Sequence, residues 1–281
     1  KVERGTRSTA SSVMAADRVI AYDNTHDLNL STLTIGLDRV FAHAGGAETS
    51  AGGMIGYVRG SADFAHSRSD AALDGVSLGA YGRHQRGAFH VDATLNMVWS
   101  EMDFTVPDLG LTLGETSNTM SADIESLGGE VEAGWTFNTG ALQLTPVVIA
   151  RHVRTGFDDM LAPSSSSRRE STVIDFGDND STQAGAGLRL SVDSRLGGLH
   201  ASWRLRGELL QELDEESTAR LSRGGHSLAL SETQDGSIIG LSGGLGVRNA
   251  SGRVSGFLDL DWLDRGDYDS TAVSLGFRYR W

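Results

Sequence analysis

The chain of 281 residues has no cysteine, only three prolines and no long run of apolar residues. The lack of cysteine excludes disulfides and thiolate metal sites. No stretch approaches the roughly 18 apolar residues that a spanning helix needs, which excludes a helical membrane protein. The net charge of −13 argues against a nucleic-acid-binding surface, because such surfaces are strongly positive.

The first residues, KVERGTRSTASS, lack the apolar core of a signal peptide. If the protein is exported, we therefore expect this sequence to be a mature or excised part of it. Glycine, in contrast, is abundant, with 36 residues. This content is unusual for a helical enzyme, but sheet interiors and barrel corners tolerate glycine where two backbones approach closely.

The last twelve residues, STAVSLGFRYRW, alternate strictly between two kinds of side chain. One parity is small or cationic, and the other consists of Val273, Leu275, Phe277, Tyr279 and Trp281. Successive side chains of a strand point to opposite faces of a sheet. The pattern therefore predicts a strand with one apolar, aromatic face and one polar face.

The same alternation recurs in HVDATLNMVW (90–99), LGGEVEAGWTF (127–137), LHASWRLRGELL (199–210) and VSGFLDLDWL (254–263). The polar faces carry acids and arginines, which is typical of a hydrated barrel interior and not of a sandwich core. The charges predicted to line this interior are Asp92, Glu130, Glu132, Arg189, Arg204, Arg206, Asp259, Asp261, Arg278 and Arg280. The apolar faces carry tryptophans near the predicted strand ends, where membrane-interface aromatics collect: Trp99, Trp135, Trp203 and Trp262.

The inward charges have two interpretations. The first is a balanced lining that keeps a pore hydrated and pairs its own charges. The second is a lining that also holds a luminal segment and lets an unfolded chain slide past without sticking.

The predicted connections alternate in length. Short glycine-containing turns lie at 43–46, 84–87, 138–141, 195–198 and 249–252, and longer polar connections lie at 66–74, 105–120, 158–181 and 212–237, with a shorter one at 264–269. Short turns at one end and long loops at the other are typical of an outer-membrane barrel. Eleven strands are evident from residue 31 onward. Because such barrels have an even number of strands, we expect a twelfth within residues 8–27.

Five segments carry a family resemblance in this order: STLTIGLDRVFA, GGMIGYVRGSADF, GVSLGAYGRHQ, FHVDATLNMVWSEMDF and LGGEVEAGWTFNTGALQLTPVVIARHVRTGF, followed by the terminal GFRYRW. Over nearly its whole length, the chain resembles the C-terminal translocator domain of type V autotransporters. The resemblance implies an all-β fold, a 12-stranded antiparallel transmembrane barrel over residues 13–281 in the bacterial outer membrane. It also implies that residues 1–12 are a linker, luminal segment or short helix leading from an N-terminal passenger.

The resemblance further implies that Phe277, Tyr279 and Trp281 form a C-terminal assembly signal. The implied partners are outer-membrane lipid, the barrel-assembly machinery, periplasmic chaperones and the chain's own passenger. One chain supplies enough strands to close alone, so we expect a monomer. We expect no nucleic-acid partner.

Other functions stay open from the sequence: a porin or loop-mediated adhesin-like barrel, an outer-membrane hydrolase, or a soluble sandwich. A hydrolase would need a catalytic cluster, and the chain has neither a G-x-S-x-G nor an H-E-x-x-H motif. We interpret His43, His84, His90 and His200 as solvated polar residues. The sequence therefore predicts no enzyme activity, no catalytic residue, no metal site and no cofactor.

Overall fold

The computed structural model describes residues 1–7, 10–15, 18–23, 25–65, 69–107, 117–162, 172–175, 177–213, 216–223, 226–233 and 236–281. No helix in this part of the chain is long and apolar enough to span a membrane. The described residues form nineteen strands: β1 (Val2–Arg7), β2 (Ala10–Ala15), β3 (Arg18–Asp23), β4 (His26–Ala42), β5 (Ala47–Phe64), β6 (Asp70–Arg86), β7 (Phe89–Pro107), β8 (Ser117–Trp135), β9 (Phe137–Thr139), β10 (Leu142–Phe157), β11 (Met160–Ala162), β12 (Thr172–Asp175), β13 (Asn179–Leu196), β14 (Leu199–Glu212), β15 (Glu216–Arg223), β16 (His226–Thr233), β17 (Ser237–Asn249), β18 (Val254–Asp264) and β19 (Tyr268–Tyr279).

Thirteen of these strands form one closed antiparallel sheet. β9 follows β8 after Thr136 and pairs with β10, so β8 and β9 together occupy one position in the barrel. The sheet closes because β1 pairs with β19 on one side and with β4 on the other. The predicted 12-stranded antiparallel barrel is therefore confirmed.

The strands are tilted relative to the barrel axis, as closure of a sheet requires. One row of directly paired residues begins beside the turn after β4 and ends at the opposite end of β18. This row consists of Phe41, Thr49, His84, Val91, Ala133, Val148, Ala186, Leu209, Ile239 and Asp264.

The outer face carries a continuous apolar band. Its most exposed members include Leu33, Ile35, Leu37 and Leu275. On β7 the outward rings of Phe89 and Trp99, ten residues apart in the sequence, bracket this band. About ten tilted residues are enough for a strand to cross a hydrocarbon layer.

The two ends of the barrel differ as predicted. The links between β4 and β5, β6 and β7, β9 and β10, β13 and β14, and β17 and β18 are short, and this end is called the short-turn end below. Gly87, Gly140 and Gly197 occupy these turns with φ of +61°, +65° and +60°, a left-handed conformation that glycine adopts without steric cost.

The opposite, long-loop end contains strands that do not belong to the barrel sheet. β11, β12, β15 and β16 form a four-stranded sheet, and β2 pairs with β3 as a hairpin. Met160 of β11 is fully buried against Met120 and Ala122 of β8, which anchors the small sheet to the barrel. Parts of the predicted long connections, at 66–68, 108–116, 163–171, 176, 214–215, 224–225 and 234–235, lie outside the described residues.

The position of the first barrel strand corrects the prediction. Val2–Arg7 lies within the stretch expected to be a linker, luminal segment or helix, and it pairs along its whole length with both neighbouring strands. Residues 10–15 and 18–23, where the twelfth strand was expected, form the separate β2–β3 hairpin. The sequence VERGTR shows no apolar alternation, because Arg4 and Thr6 follow Val2 on the same face.

Gly185 of β13 offers a test of close strand packing. A Cβ atom at this position would lie 2.0 Å from the carbonyl oxygen of Leu209 and 2.7 Å from the Cα of Leu210. We expect Gly185→Ala to lower the free energy of unfolding by about 1–3 kcal/mol, as overpacking does elsewhere. The measurement is the thermal or denaturant midpoint of the detergent-solubilised barrel.

Gly82→Ala is the matched control, since the nearest atom to its Cβ would be the carbonyl oxygen of Ser50 at 3.7 Å. Equal midpoints for the two variants would contradict the role assigned to Gly185.

Candidate functional site: the inner wall

Ion pairs that skip a strand show which face of the sheet is the inner one. Arg204 of β14 reaches Asp259 of β18 over β17, with 2.9 Å between nitrogen and oxygen. Arg151 of β10 likewise reaches Glu208 of β14 over β13, at 2.9 Å. Side chains converge in this way only on the concave side of a curved sheet. The charged side chains of β14 and β18 therefore lie on the inner face, as the alternation predicts.

The centre of the inner wall is a ladder of alternating charges. Arg189 and Arg206 both contact Glu132, whose side chain is only 3% exposed. Arg206 also contacts Glu208, at 2.7 Å, and Arg151 joins Glu208 to Glu130. The ladder therefore contains Glu130, Arg151, Glu208, Arg206, Glu132 and Arg189, with equal numbers of acids and arginines. Balance matters here because an unpaired buried charge costs several kcal/mol.

Glycines make room for these side chains on the wall. Gly244 of β17 lies under the Arg204–Asp259 pair, and a Cβ there would be 1.9 Å from Asp259 Oδ1. Gly240 and Gly187 border Glu208 in the same way. The inner face of the segment GLSGGLG in β17 therefore carries only glycine and serine. These small residues leave room for the long charged side chains from β14 and β18 that cover them.

The remaining predicted lining residues are more dispersed. Asp92 contacts Arg83 at 3.4 Å, and Arg278 forms an ion pair with Asp38. Asp261 lines a cavity of about 270 Å³ together with Arg206 and Glu208. Arg280 lines a cavity of about 580 Å³ at the short-turn end. Asp92 and Asp261 therefore adjoin the ladder, whereas Arg278 and Arg280 lie apart from it.

Sequence reasoning missed four partners of the predicted charges: Asp38, Arg83, Arg151 and Glu208. Glu208 shares the parity of Arg204 and Arg206, so the alternation contained its signal. Arg151 follows the apolar run PVVIA, so the neighbouring sequence does not indicate that it pairs with acidic side chains.

An apolar stripe also lies on the inner wall, where the sequence predicted only polar side chains. It consists of Val147, Ile149, Leu210 and Ile238.

Of the predicted C-terminal signal residues, Phe277 and Tyr279 lie on the outer face of β19, and Trp281 follows two residues after the end of this strand. Phe277, Tyr279 and Trp281 are 73%, 52% and 86% exposed. β1 covers β19 only between Tyr268 and Val273. Beyond that point, the edge of β19 borders a groove of about 700 Å³ whose other wall is residues 36–40 of β4.

The four predicted interface tryptophans also lie on the outer face. Trp135 and Trp203 are toward the short-turn end of their strands, and Trp262 lies two residues before the end of β18. Trp99 pairs directly with Val76. Val76 is two residues from Asp74, which contacts Arg59 on the same outer face. The four rings therefore sit near the two margins of the apolar band.

Comparison with known proteins agrees with this architecture. Residues 15–261 match a family model described as the autotransporter beta-domain. The chain belongs to the autotransporter beta-domain family. As a member of it, the chain is a translocator domain, a transport barrel. No curated protein sequence matches the chain.

Three solved structures share the fold of this autotransporter beta-domain. The translocator domain of the autotransporter NalP from Neisseria meningitidis has a TM-score of 0.66 at 16% identity, covering 100% of this chain and 88% of that one. The beta domain of the Bordetella autotransporter BrkA has a TM-score of 0.65 at 16% identity, with 100% and 98% covered. The transport unit of AIDA-I from Escherichia coli has a TM-score of 0.59 at 18% identity, with 100% and 90% covered.

Glu132 is the position that tests the charge ladder. Glu132→Gln removes the negative charge that Arg189 and Arg206 share, so two inward arginines lose a partner. We expect the free energy of unfolding to fall by about 3–5 kcal/mol, the usual cost of breaking a buried ion pair from one side. The midpoint of heat-induced unfolding in detergent measures the loss.

The control is the exposed pair of Arg154 and Asp178 on the loop side of the band. The hydrogen bond that Arg154 donates to Asp178, and then the negative charge of that carboxylate, raise the pKa of Arg154, but solvent screens such pairs. Arg154→Gln should leave the midpoint unchanged. A Glu132→Gln variant as stable as this control would show that the ladder does not stabilise the barrel.

Proposed function

We propose that this autotransporter beta-domain is embedded in the bacterial outer membrane and provides both the anchor and the conduit for an N-terminal passenger. One observation carries the proposal: a closed barrel with an apolar outer band about one membrane thick and a charge-balanced inner wall. Neither half of this combination suits a protein surrounded by water on both faces.

Closure supports the membrane location. Every unpaired backbone N–H or C=O group in hydrocarbon costs several kcal/mol, so only helices and closed barrels cross a bilayer. The outer band consists mainly of Leu, Ile and Val side chains, with the aromatic rings of Phe89 and Trp262 toward its margins and Trp99 on the same face. Aromatic rings prefer that margin, where one side of the ring is dry and the other is hydrated.

The inner wall supports the conduit. Acids and arginines there are paired with one another, so a polypeptide in the lumen meets few charges that would hold it. The lumen remains polar, which keeps it hydrated. Both interpretations of the lining charges include this pairing, and a paired, hydrated wall also suits the second, a surface along which an unfolded chain slides.

Display of a passenger tests the proposal. An epitope-tagged test segment is fused before Lys1, behind a signal peptide, and expressed in a Gram-negative host. We expect a membrane-bound product whose gel mobility shifts on boiling, and an epitope accessible to antibody on intact cells. Leu95→Arg, near the middle of the band, should destabilise the barrel by about 2–4 kcal/mol and reduce display, whereas Leu95→Met should not.

Two results would contradict different halves of the proposal. A soluble product with no shift on boiling would exclude the membrane anchor. A heat-shifting, membrane-bound product whose epitope stays inside the cell would exclude the conduit.

We also propose that the barrel-assembly machinery recognises β19 and that periplasmic chaperones deliver the chain to this machinery. The free edge of β19 beside the groove offers backbone groups for strand pairing, and the three exposed aromatic rings flank this edge. We expect the triple substitution Phe277→Ala, Tyr279→Ala, Trp281→Ala to reduce the folded barrel in the membrane fraction several-fold.

Arg280→Ala is the control, because Arg280 directly follows β19 and lines the inner cavity at the short-turn end. If the triple variant inserts as well as this control, the aromatic face of β19 is not an assembly signal.

A further inference from the structure

His90 is buried in the inner wall with an unused ring nitrogen. Its side chain is 2% exposed, and its Nε2 atom has no hydrogen-bond partner among the described residues. The ring lies over Gly134 of the neighbouring strand, where a Cβ would be 2.5 Å from His90 Cε1. Leaving a buried polar atom unsatisfied costs about 1–3 kcal/mol. A ligand bound to this nitrogen would remove that cost.

Two carboxylates converge on the same nitrogen. Nε2 of His90 is 3.5 Å from Glu132 Oε1 and 3.9 Å from Asp92 Oδ2. The three donor atoms all lie within 4.8 Å of one another. Asp92 and Glu132 are directly opposite each other on β7 and β8, and two carboxylates this close favour a cation between them.

We propose that His90, Asp92 and Glu132 form a binding site for a divalent transition-metal ion such as Zn²⁺. Imidazole nitrogen and carboxylate oxygen bind zinc at about 2.0–2.2 Å, which places tetrahedral ligand atoms about 3.3 Å apart. The nitrogen–oxygen distances of 3.5 and 3.9 Å therefore need only a small contraction. Asp92, 27% exposed, gives the site access to the lumen and leaves room for water at a fourth position.

The arginines at Glu132 support this site. Arg189 and Arg206 reach the carboxylate from β13 and β14, whereas His90 and Asp92 approach it from β7 on the other side. Carboxylates that bind metals are commonly held by hydrogen bonds from an outer layer of residues. The two arginines therefore orient Glu132 and balance its charge, and Arg83 holds Asp92 in the same way at 3.4 Å.

The site goes beyond the proposed export function and does not depend on it. It requires the local pairing of β7 with β8 and the glycine at position 134. Neither depends on a passenger, so binding is measurable in the barrel alone.

The test uses the barrel without a polyhistidine tag, purified in detergent, stripped with EDTA and checked for its heat shift. Cobalt absorption spectroscopy and zinc calorimetry should report one ion per chain, and zinc should raise the unfolding midpoint. His90→Gln should weaken zinc binding roughly tenfold or more, by analogy with the effect of losing supporting groups around metals. Gly134→Ala should weaken it as well, because the added methyl group displaces the His90 ring although all three ligand residues are still present in the chain.

The control is His84→Gln. His84 and His43 flank Thr49 on the outer face, at 2.9 and 2.8 Å from its hydroxyl, and form the alternative histidine pair. Zinc binding should be unchanged in this variant. The proposal is overturned if the folded barrel binds neither cobalt nor zinc, or if folded Gly134→Ala and His90→Gln bind zinc as well as the unaltered chain. It is also overturned if His84→Gln abolishes the binding.

Discussion

Pairing of β1 with β19 is the constraint on which the rest of the barrel depends. Six residues of low hydropathy, VERGTR, join the first and last parts of the sheet. Once the sheet is a ring, every strand has one face toward the lumen and one face outward. The apolar band and the charge ladder are then consequences of a single alternation, because a shift of one residue in any strand would exchange its two faces.

Glycine has a specific use within this ring. On a concave wall, side chains from different strands converge. Long charged groups can meet over an intervening strand only if that strand has no side chain at the point where they cross it. Gly244 under the Arg204–Asp259 pair and Gly134 under His90 are examples. The abundance of glycine in the sequence therefore reflects the packing of the lumen as much as the geometry of turns.

The sequence predicts most of this fold because a period of two is visible wherever one face is apolar. The fold class, the turn pattern, the parity of the lining charges and the outer position of the tryptophans all follow from that period. β1 escaped prediction because its outward residues are Val2, Arg4 and Thr6, which carry no such signal. The apolar stripe around Ile149 and Leu210 escaped because both faces of those strands are apolar there.

Which charges meet was not predictable from the alternation. Arg189 and Glu132 are 57 residues apart in sequence, and their contact depends on the stagger between β8, β10 and β13. That stagger accumulates strand by strand around the barrel, so no local pattern contains it. The same holds for His90, whose sequence context resembles that of any solvated histidine.

The conduit and the metal site are compatible because they occupy different depths of the same wall. His90 and Glu132 are almost wholly buried, so an ion bound to them would lie within the wall and leave the lumen clear. Around this site Asp92, Glu130, Glu132 and Glu208 already balance Arg83, Arg151, Arg189 and Arg206. Because these residues already balance one another, a dication would give the group a net positive charge. Metal binding would therefore change the electrostatic potential seen by a passing chain without narrowing its path.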